Sequence, residues 1–421
     1  MNSKARDKIA YLVAALCVVA LGYHFHQDSN KPIALGIMFS LSGNMASSEK
    51  GMVEVVKMAV AELNERGGLL GRPIETVVRD GRSDPATFVK EAKFLIEKQQ
   101  VDVVFGCWTS SCRKSVLPVF EANNHLLYYP VQYEGLESSK NIIYLGSVPN
   151  QQVTPAIEWV LSRLGKKIYL VGSDYVYPRA TNQIITDQVQ QWRGEIVGEQ
   201  YLPLAGHDFS SIVEDIKKVK PDAIFNTING ASNSHFFKAL RRQGITPEDS
   251  PTFSFSLSEG EIAAFQNIEM AGDFVVLNYI GSSLSAINQD FIQRYRAYSG
   301  DDQSVSEGMQ LAYLGVHLWA KAVVAAGSSQ VDAVRLAASD LSIHGPSGML
   351  YIEKATQHAW KSMHIAQINE RKELHSVWYS KVPIPPIPYP LNRTRVEWDE
   401  YLLELQNAWG GLWQEASPSA D

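Results

Sequence analysis

One unit recurs four times between residues 33 and 244: an apolar, β-rich run, a polar loop and an amphipathic helical stretch. IALGIMF leads through SLSGNMASSEKG to MVEVVKMAVAELNERGG, and VDVVFG leads through CWTSS to CRKSVLPVFEANN. KKIYLVG leads through SDYVYPRAT to NQIITDQVQQW, and PDAIFNT through INGAS to NSHFFKALRRQG. Near-continuous apolar strands have no polar face to turn to water, so strands of this kind alternating with helices belong to parallel sheets covered on both sides. At 421 residues the chain exceeds the roughly 250–300 at which a single core stops growing. An α/β fold of two doubly wound parallel-sheet lobes, with a cleft between them, is therefore expected.

The first cluster of units closes near SVPNQQVTPAIEWVL, where Pro149 and Pro155 bracket a helix start. The expected division assigns residues 31–150 and about 273–345 to the first lobe, and residues 151–272 and about 346–380 to the second. Residues 381–421 change character. KVPIPPIPYPLNRTR is too rich in proline for a helix or a central strand and should lie as an extended strap. WDEYLLELQNAWGGLW then reads as a short amphipathic helix ending at Gly410 and Gly411, its tryptophans packed onto a lobe. Residues 1–30 carry basic residues, then the apolar run IAYLVAALCVVALGYHF, then polar residues. This layout is that of a secretory signal peptide or an N-terminal anchor, which would put the chain in the periplasm or on a membrane facing it.

Thirty-eight basic against 45 acidic residues give a net charge of -7. With no basic stripe to neutralise phosphates, nucleic-acid binding is not expected. There is no Walker sequence and no GxGxxG after a strand, so no nucleotide cofactor is expected. No HxxxH or CxxC spacing suggests a metal. Leu16 before Cys17 makes a poor lipoprotein site. Cys107 and Cys112 stand at a helical i,i+5 offset that points them to different faces, so a bridge between them is not expected.

Ligands of open parallel sheets bind beyond the carboxyl ends of the strands. The four loops there are rich in hydroxyls, amides and aromatic rings without concentrating charge: Ser40, Ser42, Asn44 and Ser47; Trp108, Thr109 and Ser110; Tyr175 and Tyr177; Asn229 and Ser232. In GCWTSSCRKS a cysteine nucleophile would need a base such as His125. The simpler reading of each cysteine is a small apolar core residue, and no catalytic residue is assigned. Ser110 reads as an N-cap, and it either caps its helix alone or, with free backbone N–H groups beside it, also offers a carbonyl oxygen a place to bind. LLYYPVQYEG adds Tyr129, Gln132 and Tyr133, which either line a cleft for an uncharged polar molecule or belong to the core.

SLSGNMASSE, ELNERGGLLGRPIE, VVFGCWTSSCRKSVLPVFEANNHLLYYPVQYEG, PNQQ, GSDYVYPRATN and FNTINGASN together resemble the urea and short-chain amide binding proteins of ABC importers. They are similar also to the amide sensor that regulates aliphatic amidase expression. Both groups belong to the leucine/isoleucine/valine-type periplasmic binding family. The resemblance covers about residues 32–400. It implies a type I periplasmic binding protein: a clamshell with a three-crossover hinge that closes on its ligand. It carries ligand contacts onto Ser110, Tyr129 and Tyr177. Val131 stands where the amidase regulator has a threonine, which favours urea over acetamide. The expected ligand-binding set is Trp108, Thr109, Ser110, Tyr129, Val131, Gln132, Tyr175, Tyr177 and Asn229. The expected function is capture of urea or a short-chain amide for ABC permease subunits. The alternatives are a ligand-sensing regulatory subunit acting on a signalling partner and a thiol amidohydrolase.

Overall fold

A computed structural model describes residues 31–300 and 304–415. The leader, where a signal peptide or anchor is expected, lies outside the described residues. β1 (Ile33–Phe39), β2 (Ile74–Asp80), β3 (Val103–Gly106), β4 (Leu127–Tyr129) and β5 (Ile142–Tyr144) form an all-parallel sheet in the order β2-β1-β3-β4-β5. β6 (Lys167–Ser173), β7 (Glu195–Leu202), β8 (Ala223–Thr227), β9 (Thr252–Ser254) and β10 (Phe274–Leu277) form a second parallel array in the order β10-β9-β8-β6-β7. β11 (Ser342–Gly345), β12 (Gly348–Ile352) and β13 (Ala359–Trp360) make a small antiparallel sheet. β14 (His364–Ile368) and β15 (Leu374–Tyr379) then extend the second sheet antiparallel to β10.

The second sheet shows why its strands read as unbroken apolar runs. Successive side chains point to opposite faces, and both faces are covered. Ile168 and Leu170 of β6 enter one core, Tyr169 and Val171 the other; Phe274 and Val276 of β10 oppose Val275 and Leu277 in the same way. The first lobe's core runs from β1 and β3 to the helix Glu307–Ala326, where Phe105 stacks on Tyr128 with ring centroids 4.9 Å apart and meets the edge of Trp319.

The chain crosses between the sheets three times. Residues 145–148 lead from β5 into the helix Pro149–Arg163, whose Val153, Ile157 and Val160 pack under the second sheet. Residues 278–285 return from β10 to the helices Ala286–Ser299 and Glu307–Ala326, both against the first-lobe helix Ala46–Glu65. Residues 361–363 join β13 to β14. Pro149 is the first residue of its helix and Pro155 lies inside it, rather than the two bracketing the start. The second sheet takes in β10, just inside the stretch assigned from sequence to the first lobe. Leu350, Ile352 and Ala359 pack in the first lobe's core.

The proline-rich segment passes over both lobes. Leu136 N–H donates to the Pro388 carbonyl at 2.7 Å, and Arg393 forms a two-pronged ion pair with Asp187. The helix Arg395–Ala408 follows, and its Trp398 is completely buried beside Tyr175 and Tyr177.

Candidate functional site

The turn after β3 is built from its cysteines outward. Cys107 has φ +64° and therefore lies outside the helix that follows. From there its side chain reaches Cys112 across a Cα separation of 5.7 Å, and the two form a disulfide. This corrects the expectation that the offset would part them, because that expectation took both residues as helical. Thr109, not Ser110, is the N-cap of the helix Ser110–Ala122: its hydroxyl accepts the Cys112 N–H at 3.1 Å. Ser110 is one residue into the helix.

Ser110 does other work. Its hydroxyl donates to Glu134 Oε2 at 2.5 Å and accepts from Arg113 Nη1 at 3.0 Å. Arg113 also binds Glu134 at 2.9 Å and Glu137 at 2.8 Å, and Lys114 binds Glu137 at 3.1 Å. Two cations and two anions thus form a buried, nearly neutral cluster under the turn, with the guanidinium over the rings of Tyr129 and Tyr133. Burial pushes the Glu137 carboxyl up, but Arg113 and Lys114 outweigh it and hold the group at about 2. Sequence reading missed this cluster. Its only trace is the charged pair Arg113–Lys114 in the first half of a helix whose one other charge is Glu121, with two glutamates in YEGLE.

The remaining expected residues surround the closed cleft. Tyr129 is fully buried and its hydroxyl donates to the Trp108 carbonyl at 2.6 Å, fixing the turn. Val131 is buried against the first crossover. A Cβ on Gly146 would lie 1.7 Å from the Val131 carbonyl, so that approach requires glycine. Two side chains cross the cleft. Trp108 Nε1 donates to Asn229 Oδ1 at 3.4 Å, and Gln132 Nε2 donates to the Phe255 carbonyl at 3.2 Å and to Ser256 Oγ at 3.1 Å. Tyr177 accepts from Ser256 at 3.4 Å. Tyr175 is the N-cap residue of the helix Val176–Gln191 and packs into the strap's cluster.

A cavity lies where the two sheets' carboxyl ends and the second crossover meet. About 30 Å³ of it accepts the centre of a water-sized sphere. Of the nine expected residues, Trp108 and Gln132 line it; Ser110, Tyr129 and Tyr177 do not. Its other walls include Ser256, Tyr279 and two carboxylates, Glu259 and Glu307. Glu259 is fully engaged, taking the N–H of Gly281 and both the N–H and hydroxyl of Ser282. Glu307 accepts the Asn278 N–H at 3.1 Å through Oε2, while its Oε1 is shielded from solvent and has no partner. Burial pushes the Glu307 carboxyl up and the buried Lys361 ammonium down, each offset by the other's charge. The sequence signal for Glu307 is an acid opening a helix with no further charged residue until Lys321.

A sequence model of the periplasmic binding protein domain matches residues 33–395, which span both sheets and all three crossovers. The chain belongs to that family. Among curated relatives, a Leu/Ile/Val-binding protein homolog 6 of Brucella abortus is 22% identical over 360 residues, covering 83% of this chain and 90% of that protein. The Leu/Ile/Val-binding protein of Escherichia coli is 21% identical over 273 residues, 62% of this chain and 72% of the relative. Among solved structures, a solute binding protein of an ABC transporter from Rhodopseudomonas palustris, in complex with p-hydroxybenzoic acid, superposes with a TM-score of 0.77 at 22% identity. It covers 84% of this chain and 98% of its own. A branched-chain amino acid transporter substrate binding protein from Streptococcus pneumoniae, in complex with isoleucine, gives 0.73 at 22% identity, covering 84% of this chain and 100% of its own. These likenesses carry the two-lobed fold.

Within this periplasmic binding protein the thiol-enzyme reading loses its chemistry. Both sulfurs are oxidised to a disulfide, so neither offers a thiolate. His125 Nε2 is bonded to the Val101 carbonyl at 2.6 Å, at the opposite end of β3 from the turn.

Proposed function

We propose that this chain is an extracytoplasmic solute-binding subunit that captures urea or a short-chain amide and delivers it to an ABC permease. The observation that carries the reading is the size of the closed cleft. A water needs roughly 10–15 Å³ of such space, so the cavity holds about two waters. That is the scale of urea or formamide and well short of an aromatic acid or a branched amino acid. Both lobes contribute to its wall, Trp108 and Gln132 from one and Phe255 to Leu257 from the other. A ligand gripped by both stabilises closure by as much as it prefers the closed form, so affinity and shape change share one origin. Ser110, Tyr129 and Tyr177 enter this reading as residues that shape the wall from behind. Calorimetric titration with urea, acetamide, formamide and leucine tests it. Saturable binding of urea or an amide is expected, and a preference for leucine would overturn the assignment.

A further inference from the structure

Gln132 does more than line the cavity. Its carboxamide leaves the first lobe beyond β4 and reaches the two residues that follow the third in-sheet residue of β9 in the second lobe. Nε2 lies 3.2 Å from the Phe255 carbonyl oxygen and 3.1 Å from Ser256 Oγ. A carbonyl only accepts, so the amide end of the side chain is fixed as the end that faces it. Both protons of Nε2 are then taken by the second lobe, and none is left to offer a solute. The other cross-cleft bond, from Trp108 to Asn229, is 3.4 Å long, beyond the usual range for N–H···O. Gln132 is the firmer fastening.

Its acceptors keep partners when the lobes part. The Phe255 carbonyl also receives Gln152 Nε2 at 3.0 Å, from the helix Pro149–Arg163 under the second sheet, and Ser256 Oγ also reaches the Tyr177 hydroxyl. On opening, both stay bonded within the second lobe while the half-buried Gln132 turns to water, so no buried polar group is orphaned. A fastening of that kind is weak and reversible, which is what a cleft that opens and shuts with its solute requires.

We infer that Gln132 is the positioning residue that couples solute capture to closure: its amide N–H groups bind the second lobe at the cavity's edge, so part of the affinity comes from a bond between the lobes that the solute never touches. This role rests on the solute-binding reading above but not on the solute being an amide. Gln132→Glu isolates it, because the change keeps the side chain's shape and its acceptor oxygen and removes the donor. At mildly alkaline pH the new carboxylate sets oxygen against the Phe255 carbonyl oxygen. At mildly acidic pH a carboxylic acid forms, favoured by burial and by Glu259 and Glu307 in the same wall, and its O–H donates to that carbonyl in place of the amide. Tyr279 in the wall and Tyr177 behind Ser256 are the other titratable groups at hand, and wild type measured at the same pH values accounts for all four.

Calorimetry of the full-length protein with urea, acetamide, formamide and leucine gives the readout. The solute that binds wild type should bind Gln132→Glu about tenfold more weakly at mildly alkaline pH, the scale of the lost hydrogen bonds, and most of that deficit should close at mildly acidic pH. Gln132→Met should be weak at both, and combining it with Ser256→Ala should cost less than the product of the two single losses, since both remove one bond. Gln132→Glu that binds as wild type does at mildly alkaline pH overturns the inference. So does a deficit that acid leaves unchanged, or losses at Gln132 and Ser256 that simply multiply; in each case an amide that binds wild type keeps the amide reading. Leucine bound in place of the amides overturns that reading, and the same comparison then runs on leucine. If none of the four binds, X-ray scattering of the ligand-free proteins decides: Gln132→Glu more extended than wild type at mildly alkaline pH alone supports the role, and equal radii at both pH values overturn it. Should the glutamate variant fail to fold, Gln132→Met and its pairing with Ser256→Ala decide.

Discussion

At the scale of single residues the molecule is governed by buried charge. Arg113 touches Ser110, Glu134 and Glu137 together, and removing it leaves two carboxylates buried without their main partner. Arg113→Met should therefore lower stability by about 3–5 kcal/mol at neutral pH, read by thermal denaturation; an unchanged melting curve would show that the cluster is not coupled to the fold. The same cluster has a signature in acid. Glu137 is held at about 2 against an ordinary 4.5. Its stabilisation is fully present above pH 4.5 and is lost as the pH falls from there toward 2. Wild type should lose stability over that window, and the Arg113→Met protein should lose less. None of this was legible from Ser110 outward. The serine's partner Glu134 lies 24 residues away, and a spacing of that length carries no period by which one side chain points to another. Thr109 and Ser110 are both able to cap, and neighbouring candidates of equal chemistry leave the helix start uncertain by a residue.

At the scale of elements, the turn after β3 and the first crossover position the cleft's wall. The Cys107–Cys112 bridge closes a loop of six residues, for which chain entropy gives about 2 kcal/mol. A Cys107→Ser, Cys112→Ala protein should melt lower by that order and bind ligand more weakly, because Trp108 and the cap at Thr109 sit inside the loop. Equal affinity with a lower melting point would make the bridge purely structural. Gly146 lets the first crossover lie against the Val131 carbonyl, so Gly146→Ala forces the segment carrying Gln132 outward. Ligand affinity should fall along with stability, and a loss of stability alone would detach that segment from the site. Strands and the strap were readable because their signals are local: runs such as VDVVF and KIYLVG for buried parallel strands, and five prolines between residues 383 and 390 for an extended path. The disulfide was not, because the φ of Cys107 decides it and a cysteine's sequence neighbours do not announce a left-handed backbone.

At the scale of the whole molecule, the site exists only where two sheets and a crossover converge. Trp108, Ser256 and Glu307 come from stretches about 150 and 50 residues apart, and topology alone assembles them. Alternating strands and helices made the two lobes readable, whereas the carboxylate wall depends on how the second crossover returns to the first lobe. The strap bears on both lobes through Leu136 and Asp187 and so rides on any change in their separation. The central claim is that a tiny N–H-bearing molecule draws the lobes together. Small-angle X-ray scattering of the full-length protein, with and without saturating urea or acetamide and with benzoate as the comparison, tests it most directly. The expected result is a smaller radius of gyration with urea or acetamide and no change with benzoate; compaction by benzoate, or a radius indifferent to both amides, would contradict it.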